Sequence, residues 1–175
     1  MIKYIIVFII PFILNAQEYT ITSKIDNERI RISIYVKEFI PYKHKIEFRN
    51  AMTFIDDMKA YGVAPEGIPA EEIENFKIEW NDIIISLPQK YYIDCYNPTF
   101  DSSNVRIDIG YNKNQILFFM NGSDGAGVYS VLWIIDKNEN HNRYVIFGGD
   151  CHLFNLYCGD ETSAKTSIKI KNIKP

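Results

Sequence analysis

Cysteine, histidine and glycine are all scarce in this chain. Its 175 residues include three Cys, three His and nine Gly. No C-x-x-C pair occurs among Cys95, Cys151 and Cys158, and only His152 stands near two of them. Zinc sites draw on closely spaced Cys and His, so no metal centre is expected. Basic residues are also in deficit, 19 Lys+Arg against 22 Asp+Glu, for a net charge of −3. Nucleic-acid binding usually shows as a basic patch or stripe. The longest basic cluster here is Lys43-His44-Lys45, so no nucleic-acid partner is expected. No apolar run reaches the roughly 20 residues that a membrane-spanning helix needs.

The apolar run that does exist opens the chain, as MIKYIIVFIIPFILNAQ. Lys3 is a short positive start, Tyr4–Leu14 is apolar, and Ala16 is a small residue before a cut. These features predict a signal peptide over residues 1–16 with cleavage after Ala16. The mature chain, 17–175, is then periplasmic or secreted and has no membrane span. It is the size of one ordinary domain. Export permits disulfides. Cys151 and Cys158 bracket a six-residue loop and are the candidate pair. Cys95 is the odd one, with pairing to either of the others, or three reduced thiols, as alternatives.

The body of the chain reads as strands. In RIRISIYVK, Ile30, Ile32, Ile34 and Val36 alternate with polar residues or Tyr35, which gives one apolar face at period two. Glu18–Lys24 precedes it across a DNE turn, so a hairpin is expected. Further strand candidates are Lys45–Arg49, Met52–Ile55, Phe76–Trp80, Ile83–Leu87, Val105–Tyr111, Gln115–Met120, Val128–Asp136, Arg143–Phe147 and Ser167–Ile173. Gly62, Pro65, Gly67 and Pro69 break up Asp56–Glu72, which reads as an irregular loop. PAEEIENF is expected to start one short helical turn. Short strands at this spacing predict a mainly β protein, an antiparallel sandwich or barrel-like single domain with little helix.

One stretch concentrates the scarce glycine. NGSDGAGVYSVLWIID (121–136) has three Gly in six residues. A P-loop needs a Lys and a following helix, and a dinucleotide fingerprint needs G-x-G-x-x-G opening a helix. Neither fits, because VYSVLWII is β-branched and aromatic, and no cofactor is expected. Ser123 follows Gly122 directly, so G-x-S-x-G is absent too. DKNENH at 136–141 resembles the start of a calcium loop, but His141 and Phe147 stand where Gly and Glu are required, so it reads as a hairpin turn. The glycine stretch is expected to be a corner between two strands. A functional alternative is that its free amides meet an anionic ligand, which makes Ser123, Asp124 and Gly125 candidate binding residues. The aromatic residues Tyr91, Tyr92, Tyr96, Trp80, Trp133 and Tyr129 belong either to the core or to a binding face. Tyr91 and Tyr96 are the ligand candidates among them.

Together, AYGVAPEGIPAEEIENFKIEWNDIIISLPQKYYIDCYNP, GSDGAGVYSVLWII and NRYV resemble a group of uncharacterised bacterial exported proteins with a GSDGAG-x-Y hairpin. The likeness covers about 60–147. It departs at Asp82, where the group has Gly after the Trp-Asn pair. The resemblance implies export and one intact domain, and it implies no activity. Three functions compete. The first is an exported non-catalytic binding module with a protein partner, such as an immunity protein or an inhibitor of a wall-degrading enzyme. The second is a structural component of a cell-envelope assembly. The third is a hydrolase using Asp94, Asp124 or His152.

Overall fold

The computed structural model describes residues 16–101, 104–111, 113–123, 125–148 and 167–173, the last stretch by its backbone pairing alone. The leader, apart from Ala16, and both Cys151 and Cys158 lie outside the described residues, as do Asp124 and His152. Twelve strands are described: β1 (Ala16–Ile25), β2 (Glu28–Glu38), β3 (Ile46–Arg49), β4 (Met52–Ile55), β5 (Met58–Lys59), β6 (Glu71–Trp80), β7 (Ile83–Ser86), β8 (Val105–Ile109), β9 (Gln115–Gly122), β10 (Tyr129–Asp136), β11 (Asn142–Phe147) and β12 (Ser167–Ile173). The only helical elements among them are two three-residue 3-10 turns, Pro41–Lys43 and Gln89–Tyr91.

The strands form three antiparallel sheets. Their orders are β12-β1-β2-β6-β7, β11-β10-β9-β8 and β3-β4-β5. The first two face each other as a sandwich over one core. Ile30, Ile32, Ile34 and Val36 are all buried on the inner face of β2, as the period-two pattern demands. Phe76 on β6 reaches across to the other sheet and meets Phe118 and Trp133 edge-on, with centroids 5.6 and 5.2 Å away. Phe118 and Trp133 are direct cross-strand partners and stack at 5.3 Å. Such aromatic contacts add about 0.5–1.5 kcal/mol each beyond area burial. Both indole N–H groups are satisfied, that of Trp80 by Glu28 at 2.6 Å and that of Trp133 by the Tyr91 carbonyl at 2.7 Å.

The expected helical turn at PAEEIENF is a strand instead. β6 runs unbroken from Glu71 to Trp80. Its pairing with β2 skips Glu74, since Tyr35 faces Asn75 while Val36 faces Ile73. This is a β-bulge, which adds one residue to one strand. It lets Ile73 and Phe76, three apart, both point inward. Three-residue spacing looks helical in a sequence, and here the bulge produces it. The irregular loop 56–72 also contains β5, paired to β4.

Candidate functional site

The motif strings that stood apart in the sequence meet in one place. Three segments interlock there: the loop around 60–70, the stretch 88–98, and the corner between β9 and β10. Tyr61 and Cys95 form a parallel bridge, Pro98 bridges to Gly122, and the Ser123 amide donates to the Asn97 carbonyl at 2.9 Å. Asn97 ties all three segments. Its Nδ2 donates to the Gly62 carbonyl at 2.7 Å, and its Oδ1 accepts from the amides of Ala70 and Glu71 at 2.9 and 3.0 Å.

Glycine is needed here for close approach. A Cβ on Gly62, whose φ is +87°, would sit 2.0 Å from the Tyr96 carbonyl oxygen. On Gly122 it would enter the Tyr129 ring at 2.2 Å, and on Gly127 it would strike the Val63 backbone at 2.5 Å. Gly125 differs, with no atom within 4 Å of its Cβ position. Gly122 and Gly127 therefore seat the corner against its neighbours, while Gly125 stands at an open tip. Ser123 holds φ 62° and is half-buried.

A polar cluster joins the 88–98 stretch to β11. Arg143 on β11 forks onto Asp94, with Nη1 on Oδ1 and Nη2 on Oδ2, the latter at 2.8 Å. Nη1 also donates to the Tyr91 carbonyl at 3.2 Å. Both side chains are largely buried. Burial lowers the guanidinium pKa, and the Asp94 bond and charge outweigh that and raise it. Cys95 is a free thiol, fully buried, and burial pushes its pKa far above the ordinary value. A thiol held protonated is a poor nucleophile. Burial likewise raises Tyr129 and Tyr96.

The aromatic candidates separate. Trp80, Trp133, Tyr129, Tyr92 and Tyr96 are all buried. Tyr96 is only 2 % exposed and meets the Phe39 ring edge-on at 5.6 Å. Tyr91 remains half-exposed. Its carbonyl accepts from the Trp133 indole, and Trp133 is four strand residues from Tyr129, or about 13 Å along β10. Tyr91 thus sits well away from the Ser123–Gly125 corner, whereas Asn97, next to Tyr96, touches Ser123.

Tyr91 belongs to a different feature, a groove at the open side of the sandwich. The groove has a volume of about 310 Å³ and lies between β7 and the β10–β11 turn. Ile83, Ile84 and Ile85 line one side, and Lys90, Tyr91, Lys137 and His141 line the other. β7 ends its sheet, so no described strand pairs with its outer edge. Ile84 is 65 % exposed and Ile83 44 %. Lys137 is held with Nζ 3.9 Å from the Trp80 ring centroid, and Lys90 lies over Tyr91 at 5.0 Å. The β10–β11 turn is itself tightly bonded. Asp136 accepts from the Asn138 amide at 2.7 Å and from Gln115 at 3.1 Å. The calcium-like string DKNENH is thus a hairpin turn.

His141 closes that turn. Its Nδ1 accepts from the Asp136 amide at 3.2 Å, and its carbonyl accepts from the Tyr91 hydroxyl at 2.8 Å. Burial lowers its pKa, against the pull of Glu139 and Asp136 and with a push from Lys90. The unfolded chain therefore binds the proton more readily. The stability this group contributes is present above the unfolded histidine value, near 6.5, and falls as pH drops below it. Thermal melts from pH 8 to pH 5 are expected to show this loss, and His141→Gln should flatten that part of the profile. An unchanged slope in the variant would contradict the assignment.

Edge strands and unpaired grooves leave a trace in sequence only as apolar residues facing the wrong way. Ile83-Ile84-Ile85 is that trace, and it reads equally well as a buried strand. The fold class is a mainly β, antiparallel sandwich. Compared with known protein families, curated proteins and solved structures, the chain matches none.

Proposed function

We propose that the protein is an exported, non-catalytic binding module that holds a protein partner by strand addition along β7. The observation that carries this is the exposed apolar edge Ile83–Ser86 beside the groove, with which no other described strand pairs on its outer side. Exposed edges offer a row of unpaired N–H and C=O groups, and proteins normally blunt them with charge or proline. β7 carries neither, being Ile-Ile-Ile-Ser. A strand laid on it would place alternate side chains in the groove above Tyr91 and His141. Lys90 and Lys137 against Glu139 favour an acidic partner segment. An immunity or inhibitor role suits such a surface. The leader-like residues 1–16 support a periplasmic or secreted location, which in turn permits a Cys151–Cys158 bridge. The GSDGAG-x-Y resemblance supports membership of the exported group.

Ile84→Lys tests the surface. The side chain is mostly solvent-exposed, so thermal stability should hold within about 0.5 kcal/mol. Partner affinity should fall at least about tenfold, which is about 1.4 kcal/mol. In the complex, backbone amides of Ile83–Ser86 should gain protection from hydrogen exchange. Protection elsewhere, with full affinity in the variant, would sink the reading. The same edge also suits assembly of identical copies in an envelope structure. Sedimentation distinguishes the two, because self-assembly predicts oligomers that Ile84→Lys dissolves.

A further inference from the structure

The outer face of the five-stranded sheet carries a second feature, independent of the groove. Lys24 stands directly opposite Arg29 across the β1–β2 pairing, and one row along Thr22 stands opposite Arg31. Arg31 in turn faces Glu79 on β6. Ile21, Ser23, Ile30 and Ile32 are buried. Since strand side chains alternate between faces, Lys24, Arg29 and Arg31 project together on the other side, and all three are exposed. With Glu79 and Asn81 they line a shallow trough of about 500 Å³.

Among the described residues the charge in this trough is unbalanced: Glu79 is the one lining carboxylate among them, and it is divided between Arg31 at 3.5 Å and Lys77 at 3.0 Å. Among the described residues, neither Lys24 nor Arg29 forms an ion pair. Like charges directly opposite on a sheet are destabilising. The arrangement thus works against the fold, in a chain whose net charge is −3. The end of the trough is fixed. Asn81 accepts from the Arg29 amide at 2.8 Å, donates to Glu28 at 2.5 Å, and returns its own amide to the Arg29 carbonyl at 2.8 Å.

We propose that this trough binds a soluble small molecule carrying two or more phosphate groups. Two cation rows, Lys24 with Arg29 and then Arg31, lie two strand residues apart, or about 7 Å. Guanidinium groups match phosphate oxygens two at a time, and a lysine beside them adds a point charge. Groups separated by that distance engage both rows at once, whereas a lone phosphate reaches one.

Isothermal titration of the purified protein with inositol hexakisphosphate, in 150 mM salt (roughly physiological ionic strength), tests this. One-to-one binding is expected, with inorganic phosphate at least about tenfold weaker because it reaches a single row. The double variant Lys24→Gln/Arg29→Gln should weaken the probe at least about tenfold while melting at the same or a higher temperature, because a like-charge pair has gone. Three results would overturn the proposal. One is no binding by the native protein. The second is an equal loss in Lys43→Gln/Lys45→Gln, which would mean unspecific attraction. The third is a tenfold or greater gain in Asp160→Asn/Glu161→Gln, which would mean that the cations serve acidic residues of the chain itself.

Discussion

Gly62→Ala is expected to abolish the native fold, while Gly125→Ala leaves it intact. At Gly62 the added Cβ would sit 2.0 Å from the Tyr96 carbonyl oxygen, and φ is +87°. A backbone carbonyl cannot swing aside like a side-chain tip, and alanine resists that φ. Moving Tyr96 would also strain its amide hydrogen bond to the Tyr61 carbonyl and the Asn97 network. The cost should exceed about 3 kcal/mol, the range of severe packing and backbone clashes. Gly127→Ala, 2.5 Å from the Val63 backbone, should be similarly damaging. At Gly125 nothing lies within 4 Å, and a neutral change or a gain of up to about 1 kcal/mol is expected. Denaturant titration of the three variants is the measurement. Equal effects at all three would mean that the corner is not seated as described.

The second large effect concerns Asp94 and Arg143. Asp94→Ala strands a guanidinium whose side chain is 17 % exposed. Breaking a buried pair from one side costs about 3–5 kcal/mol, because the remaining charge stays desolvated. Arg143→Met should do comparable damage by stranding the carboxylate. The double variant Asp94→Leu/Arg143→Met should recover much of the loss, since apolar replacement of a buried pair is often close to neutral. A double-mutant cycle measures this coupling. Purely additive losses would show that the two groups act separately.

How much of this was legible depended on distance along the chain. The β1–β2 hairpin follows a local rule, an alternating strand after a polar turn, and it appears there with Asp26-Asn27 as the link and Glu28 already paired to Ile25; the strands on either side of Asn81-Asp82 likewise pair as a hairpin. The start of β6 reads as a helical turn because Glu74 bulges, and a bulge depends on the partner strand rather than on the residues themselves. The separate three-stranded sheet was equally hidden, since short strands do not declare which sheet they join. In the candidate sites, the glycine corner was visible as a turn. Its reason for holding Gly122 and Gly127 was not, because Tyr129 and Val63 approach through the tertiary fold. The groove and the cationic trough arise only when β7, the β10–β11 turn, β1 and β2 take their places.

The order of strands also bears on how the molecule reaches its fold. β12 pairs with β1 along Ala16–Thr22, so Ala16 meets Ile173 across nearly the whole described chain. Neighbouring hairpins such as β9–β10 and β10–β11 close short loops and can form early. Among the described strands, the β1–β12 pairing closes the longest loop, and closure entropy grows with loop length. Domains dominated by such distant pairings fold slowly, in roughly milliseconds to seconds. Until β12 arrives, β1 is itself an open edge. A chain emerging in order therefore keeps that edge uncovered through the synthesis of every other described strand, because the strand that covers it, β12, follows them all.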